Sequence, residues 1–327
     1  MKAVFYERQG AARDVLIVGE LPTQAPGPNE VRVRVHVSGL NPTDVKARSG
    51  FSSAMPFPRI TPHQDGAGIV DAVGPGVSPD RLGERVWIYE AQFGRAAGTA
   101  AEYVVVPSSH AVRLPDHVSF DVGASLGIPA LTAHRCLFAD GSLAGRPVLV
   151  HGGAGVVGTA AILLAKWAGA WVATSVRNAE QAAVARANGA DLVIDRHAAD
   201  GARVMLDATG GRGIDRIVDV DLKANLDLDL ACLSQGGVIS AYATASATDA
   251  LPVPLLKAMM HGCVLRFVYI YHVPGEAKQA AIRDIDACVA AGAYSPRIGM
   301  KVPLTQVIDA HEALESGQVI GKVLVHN

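Results

Sequence analysis

What this sequence lacks narrows its possibilities first. Its four cysteines, Cys136, Cys232, Cys263 and Cys288, are far apart, so no Cys-x-x-Cys pair exists to hold zinc or to cycle as a redox couple. Each is read as a small buried or half-buried apolar residue. Neither sign of charge dominates: 29 Lys and Arg stand against 31 Asp and Glu, a formal charge of −2. Nucleic-acid binders carry a basic excess or stripe instead. Aromatic residues make up only 5%, too few for a base-stacking platform, so nucleic acid is not an expected partner. The most apolar window, from Ala160 to Val176, is broken by Lys166 and falls short of a bilayer span. The opening Met1-Lys-Ala-Val-Phe-Tyr-Glu-Arg alternates like a strand and lacks the apolar core of a signal peptide. The expectation is therefore a cytoplasmic protein without a membrane partner.

What is present is enough apolar material for two cores: half of the 327 residues are hydrophobic. Val31 to Val37 reads Val-Arg-Val-Arg-Val-His-Val, a period of two that puts valines on one strand face and polar residues on the other. Short strands bounded by Gly and Pro recur at Gly66 to Gly76, Glu84 to Tyr89 and Ala101 to Pro107, so the first 120 or so residues predict a β-rich domain. Near Asp121 the pattern changes. Helical segments now alternate with apolar strands at Pro147 to Val150, Trp171 to Thr174, Asp191 to Ile194, Arg216 to Val220, Val238 to Tyr242 and Val264 to Ile270. Such alternation predicts a parallel sheet covered on both faces. A helix near Glu276 to Ala291, a strand at Lys301, a helix from Leu304 to Ser316 and a last strand from Lys322 are assigned back to the first domain. The expected division is residues 1–124 with 271–327, and residues 125–270.

The segment from Pro147 to Gly158 carries Gly152, Gly155 and Gly158 at a strand-to-helix turn, with an apolar helix after it and a second strand following. Small residues there let the backbone approach a pyrophosphate at the helix N-terminus, where free N–H groups and the dipole favour an anion. About twenty residues beyond Gly155, where an NAD-specific fold places an acid, stands Ser175, followed by Arg177, with Arg196 after the third strand. An uncharged Ser and two guanidinium groups suit the 2′-phosphate of NADPH.

Several local stretches, Gly39-Leu-Asn-Pro-Thr-Asp, Arg48-Ser-Gly, Asp65-Gly-Ala-Gly, Gly127-Ile-Pro-Ala-Leu-Thr-Ala and Val150-His-Gly, together with the domain pattern, resemble the medium-chain dehydrogenase/reductase superfamily in its zinc-free quinone oxidoreductase and zeta-crystallin branch. The resemblance implies an α/β fold: a doubly wound Rossmann sheet plus a discontinuous, β-rich GroES-like domain. It implies that Asn41 lies beside the nicotinamide and substrate, Thr132 near the nicotinamide, and Gly155, Val156 and Val157 against the pyrophosphate. Ala243, Phe267 and Tyr269 fall on strand ends that it assigns to the nicotinamide end. Zinc enzymes of the superfamily place a cysteine where this chain has Asn41, and histidine followed by glutamate at Gln64 and Asp65, so no metal is expected. Ser52 stands at a substrate-binding position where tyrosine is common, Gly155-Val-Val replaces Gly-Gly-Val, Arg196 replaces a tyrosine and Ala243 a glycine. Asp219-Val-Asp is more acidic than the usual strand end.

Alcohol oxidation needs a base or a metal to take the hydroxyl proton, and the sequence offers neither zinc ligands nor a tyrosine-lysine couple. A quinone or conjugated carbonyl needs only donors for the oxyanion that forms, for which Asn41, His63 and Gln64 are the candidates. NADPH-dependent quinone reduction is the expected activity. Reduction of alkenals or enoyl thioesters is the enzymatic alternative, and a structural or single-stranded RNA-binding role like that of some zeta-crystallin relatives is the non-enzymatic one. The apolar stretch from Val264 to Ile270 predicts an exposed edge strand and, through it, a homodimer.

Overall fold

The computed structural model describes residues 1–51 and 53–327, so the expectation for Ser52 lies outside the described residues. The chain forms two compact units, residues 1–128 with 297–327, and residues 129–296. In the first, β1 (Lys2–Phe5) pairs with β2 (Ile17–Glu20) on either side of the single-turn helix α1 (Ala12–Val15). There follow β3 (Glu30–Leu40), α2 (Pro42–Ser49), β4 (Asp65–Val73), β5 (Arg85–Ile88), β6 (Tyr103–Pro107), β7 (Ala111–Arg113) and α3 (Phe120–Gly123). The alternation read from the sequence sets the core here: Val31, Val33 and Val35 are buried against Val70, Val86, Val104 and Val106, and Val37 against Ala67, Ala124 and Leu324.

The helix α4 (Gly127–Phe138) begins at the boundary of the second unit. That unit continues through β8 (Pro147–His151), α5 (Val156–Trp167), β9 (Trp171–Val176), α6 (Ala179–Ala187), β10 (Leu192–Asp195), α7 (Gly201–Ala208), β11 (Ile214–Asp219), α8 (Leu222–Cys232), β12 (Leu233–Ala241), α9 (Leu255–His261), β13 (Val264–Phe267) and α10 (Gly275–Ala290). Its six strands are parallel in the order β10-β9-β8-β11-β12-β13. This is a doubly wound sheet whose order reverses between β8 and β11. All strands end at one edge, so the expected cofactor residues that follow β8, β9, β10, β12 and β13 share that edge.

The first unit is completed by β14 (Ile298–Pro303), α11 (Val307–Glu315) and β15 (Lys322–His326). Its main sheet runs β14-β15-β3-β4-β5-β7, with β6 also on β3. The return therefore begins at residue 297 rather than at 271. The reason is α10, which packs on α5, buries Ile282, Ile285, Cys288 and Val289, and accepts His134 Nε2 on Asp284 at 2.8 Å. The edge strand is also shorter than expected. Val268 N still reaches Ala241 O, but β12 ends there, and beyond it residues 270–272 form a 3₁₀ turn. Cys136, Cys232 and Cys288 are buried and Cys263 is half-buried. Among the described residues no helix is long and apolar enough to cross a membrane.

Candidate functional site

In the first unit the sheet register gathers polar residues at one corner. Asn41 follows the last residue of β3, Asp65 opens β4 opposite Gly39, and β15 pairs Leu324 with Gly39 and Val323 with Leu40, bringing its first residue, Lys322, to the same place. Asn41 also precedes α2, where Pro42 needs no donor in the first turn and the Asp44 carboxylate accepts Asn41 N at 2.7 Å. The turn role and the side-chain role of Asn41 thus coexist. Its Nδ2 donates to Asp65 Oδ2 at 2.7 Å, and Lys322 Nζ donates to Asn41 Oδ1 at 2.7 Å and to Asp65 Oδ2 at 3.0 Å. Asp65 Oδ1 accepts Ile128 N, 2.8 Å away in the first turn of α4, where the helix dipole favours a carboxylate. Asp65 and Lys322 have no solvent exposure, so loss of either partner alone strands a buried charge at a cost of about 3–5 kcal/mol.

Two glycines of the sequence motifs find their reason here. A Cβ on Gly127 would lie 1.9 Å from Asp65 Oδ1, and one on Gly39 would meet Ala124 O at 2.0 Å and Lys322 Cε at 2.9 Å. Burial, and then the neighbouring Asp65, push Asp44 up to about 8.

The structure does not leave His63 and Gln64 free. His63 is fully buried at a left-handed backbone position, φ 80°. Its Nδ1 meets Ser38 Oγ at 2.8 Å and its Nε2 meets His311 Nε2 at 3.0 Å. Burial, with His311 and Lys322 adding to it, holds His63 well below the ordinary histidine range, and burial beside Arg48 takes His311 down to about 3. Both rings are neutral, and His63 has no ring nitrogen left for a substrate. Gln64 Oε1 accepts Gln92 N and Phe93 N at 3.1 and 3.0 Å, and its Nε2 donates to Gln92 Oε1 at 3.1 Å. It pins the 92–93 turn.

In the second unit, Gly152 has φ 69°, Gly155 is the N-cap of α5 without any side-chain cap, and Val156 and Val157 form the half-buried first turn. The first N–H groups of a twelve-residue helix are therefore uncapped. A Cβ on Gly158 would lie 2.3 Å from Gly152 O, so only glycine lets helix and loop approach this closely. Arg177 and Arg196 follow Val176 and Asp195, which are paired across β9 and β10, and Arg196 N bonds Val176 O at 2.9 Å. Among the described residues neither guanidinium enters an ion pair, although Arg177 is exposed and Arg196 half-exposed. Ala243 is exposed after β12, Phe267 and Tyr269 are 70% and 57% exposed at the end of β13, and Thr132 is buried on α4.

Ser175 departs from expectation. Its hydroxyl is turned inward, 2.7 Å from His151 Nδ1, and is not offered to a cofactor. His151 Nε2 in turn meets Asp229 Oδ1 at 2.7 Å, and Asp219 stands beside the pair, the three side chains offering ligand atoms within 4.8 Å of one another. Burial disfavours the charged ring, but the Asp229 carboxylate outweighs it and raises His151 above its ordinary range. Burial, then Asp229, raises Asp219 to about 7. Asp219 Oδ1 accepts Asp221 N at 2.5 Å and Asn225 Nδ2 at 3.1 Å. These contacts give Asp219, at the acidic strand end, a place in the buried group.

The donor set around residue 41 does not fit zinc. Amides at Asn41 and Gln64 are poor ligands, and Asp65, the one carboxylate of the three, already holds an ammonium.

Residues 27–116 match the alcohol dehydrogenase GroES-like domain and residues 156–287 the domain described as zinc-binding dehydrogenase. The chain is 30% identical over 327 residues to the quinone oxidoreductase of Rattus norvegicus, covering 99% of this chain and 97% of that protein. Two similar solved structures, each 28% identical with full coverage of both chains, are an NAD-dependent alcohol dehydrogenase, TM-score 0.89, and a mycobacterial protein complexed with NADPH, TM-score 0.86. A Rossmann sheet with a GroES-like unit defines a dehydrogenase or reductase of the medium-chain class, an oxidoreductase. Within that superfamily the chain belongs to the quinone oxidoreductase and zeta-crystallin branch.

Proposed function

We propose that this chain reduces a quinone with NADPH, without zinc. The observation that carries the reading is the Asn41 amide, set among groups whose cation is the Lys322 ammonium. An amide donates a hydrogen bond but takes no proton, so it serves an acceptor that is already electrophilic and becomes an oxyanion. The uncapped turn at Val156 and Val157 suits the pyrophosphate, and unpaired Arg177 and Arg196 suit a 2′-phosphate. Thr132, Ala243, Phe267 and Tyr269 are the proposed neighbours of the nicotinamide. Bound there, NADPH supplies the hydride. Asn41 donates to the acceptor oxygen, and the proton that completes the hydroquinone comes from solvent. His63 and Gln64 are support for this arrangement.

Asn41→Ala is expected to lower turnover of a small quinone by about 10²-fold, the usual loss for one aimed oxyanion donor, with NADPH affinity unchanged. Unchanged turnover removes the role given to Asn41. Parallel assays with 2-alkenals and enoyl thioesters decide the acceptor class. The similar NAD-dependent structure makes NADH the comparison that decides the cofactor.

A homodimer is the second part of the proposal. β13 is an edge strand, and Leu255, Leu256, Met259 and Met260 of α9 are exposed together with Val264 and Phe267. Strand edges and apolar patches of this kind are normally covered, and a two-fold contact covers both copies at once.

A further inference from the structure

We propose that Lys322 is the positioning residue of this site: it fixes which way the Asn41 amide faces, and so aims the N–H that meets the acceptor. The inference rests on the function proposed above and names a residue it does not use directly. An ammonium has only donors, so the oxygen of Asn41 must face Lys322 Nζ, at 2.7 Å; a carboxylate has only acceptors, so Nδ2 must face Asp65 Oδ2, also at 2.7 Å. The third side, Lys322 Nζ to Asp65 Oδ2 at 3.0 Å, closes the ring. Neither end of the amide has an equivalent alternative, and a flipped amide would set oxygen against carboxylate and nitrogen against ammonium. One N–H of Nδ2 goes to Asp65. The second meets no partner among the described residues, and Asn41 retains only a 2% exposed edge. A Cβ on Gly39 would meet Lys322 Cε at 2.9 Å and Nζ at 3.1 Å as well as Ala124 O at 2.0 Å, so glycine at 39 leaves room both for the lysine and for the neighbouring backbone.

Removing Lys322 takes away the donor that holds the Asn41 oxygen and leaves the amide held at Nδ2 alone, so it is no longer clamped at both ends and its second N–H loses its aim. Lys322→Met is therefore expected to lower kcat for a small quinone about 10²-fold, matching loss of the donor itself, while the NADPH Kd stays within about twofold. Adding Asn41→Ala to Lys322→Met is expected to lower kcat by less than about threefold more, since the same hydrogen bond is already lost. If the stranded Asp65 prevents folding, Lys322→Met combined with Asp65→Asn removes both charges and is read in the same way. Losses that multiply, or a kcat that does not move while melting falls, would show Lys322 to be structural only and overturn the proposal. Should the unmutated chain reduce no quinone, the functional reading fails separately. Amide orientation is then read from the Asn41 side-chain ¹⁵N resonance, identified by its loss in Asn41→Ala. A shift in Lys322→Met supports the inference, and an unmoved resonance overturns it.

Discussion

Asp44 shows how a single carboxyl links this site to pH. Its pKa is near 8 in the folded chain against an ordinary value near 3.8, so between those limits the native state binds more protons than the unfolded chain. Stability from this group therefore falls as pH rises from about 4 to about 8 and is lost fully above that. Asp44→Asn keeps an oxygen for Asn41 N but cannot ionise. Its melting temperature is expected to gain progressively on the unmutated protein from pH 5 to pH 8.5, and each kcal/mol is worth about 2–4 °C in a chain of this size. A difference independent of pH would contradict the assignment. Asn41 was legible in the sequence because it stands where relatives carry a zinc ligand. Lys322 was not. A lysine at the start of an apolar strand reads as a solvated end, and only the pairing of β15 with β3, nearly the whole chain apart, brings it to Asn41. His63 was legible as a polar residue near the site, but its two partners, Ser38 and His311, come from other strands and helices, so its engagement was not.

Among the elements, the turn from β8 into α5 was the most readable, since its glycines, its strand and its apolar helix lie within one local stretch. Gly158→Ala places a methyl group against Gly152 O and is expected to weaken NADPH binding at least tenfold, whereas Gly155→Ala, at an ordinary φ of −73°, is expected to be milder. Arg177→Ala is expected to weaken NADPH far more than NADH, by the roughly 1.5–3 kcal/mol of a charged hydrogen bond. Titration of both cofactors against each variant checks these outcomes, and equal losses for NADH and NADPH in Arg177→Ala would remove the 2′-phosphate assignment. The inward turn of Ser175 was not readable, because His151 and Asp229, which draw it in, are fixed by strand order and by α8. The length of β13 was misread for a similar reason: its apolar residues continue to Ile270, but its neighbour β12 stops at Ala241.

At the scale of the molecule, alternation of strands and helices revealed the parallel sheet and period-two strands the β-rich unit, while the point of return did not show in composition, since α10 is amphipathic wherever it packs. The exposed residues of α9 and β13 lead to a test of assembly: light scattering at micromolar concentration is expected to give twice the chain mass, and Phe267→Asp with Met259→Glu to shift it toward the monomer. A monomeric mass for the unmutated chain would remove the dimer. The central claim concerns the chemistry, and the direct measurement is NADPH oxidation with a small quinone after exhaustive chelation, beside oxidation of a simple primary alcohol under the same conditions. Quinone turnover undiminished by the chelator, with no alcohol oxidation, is the expected result; alcohol oxidation that the chelator abolishes would contradict it.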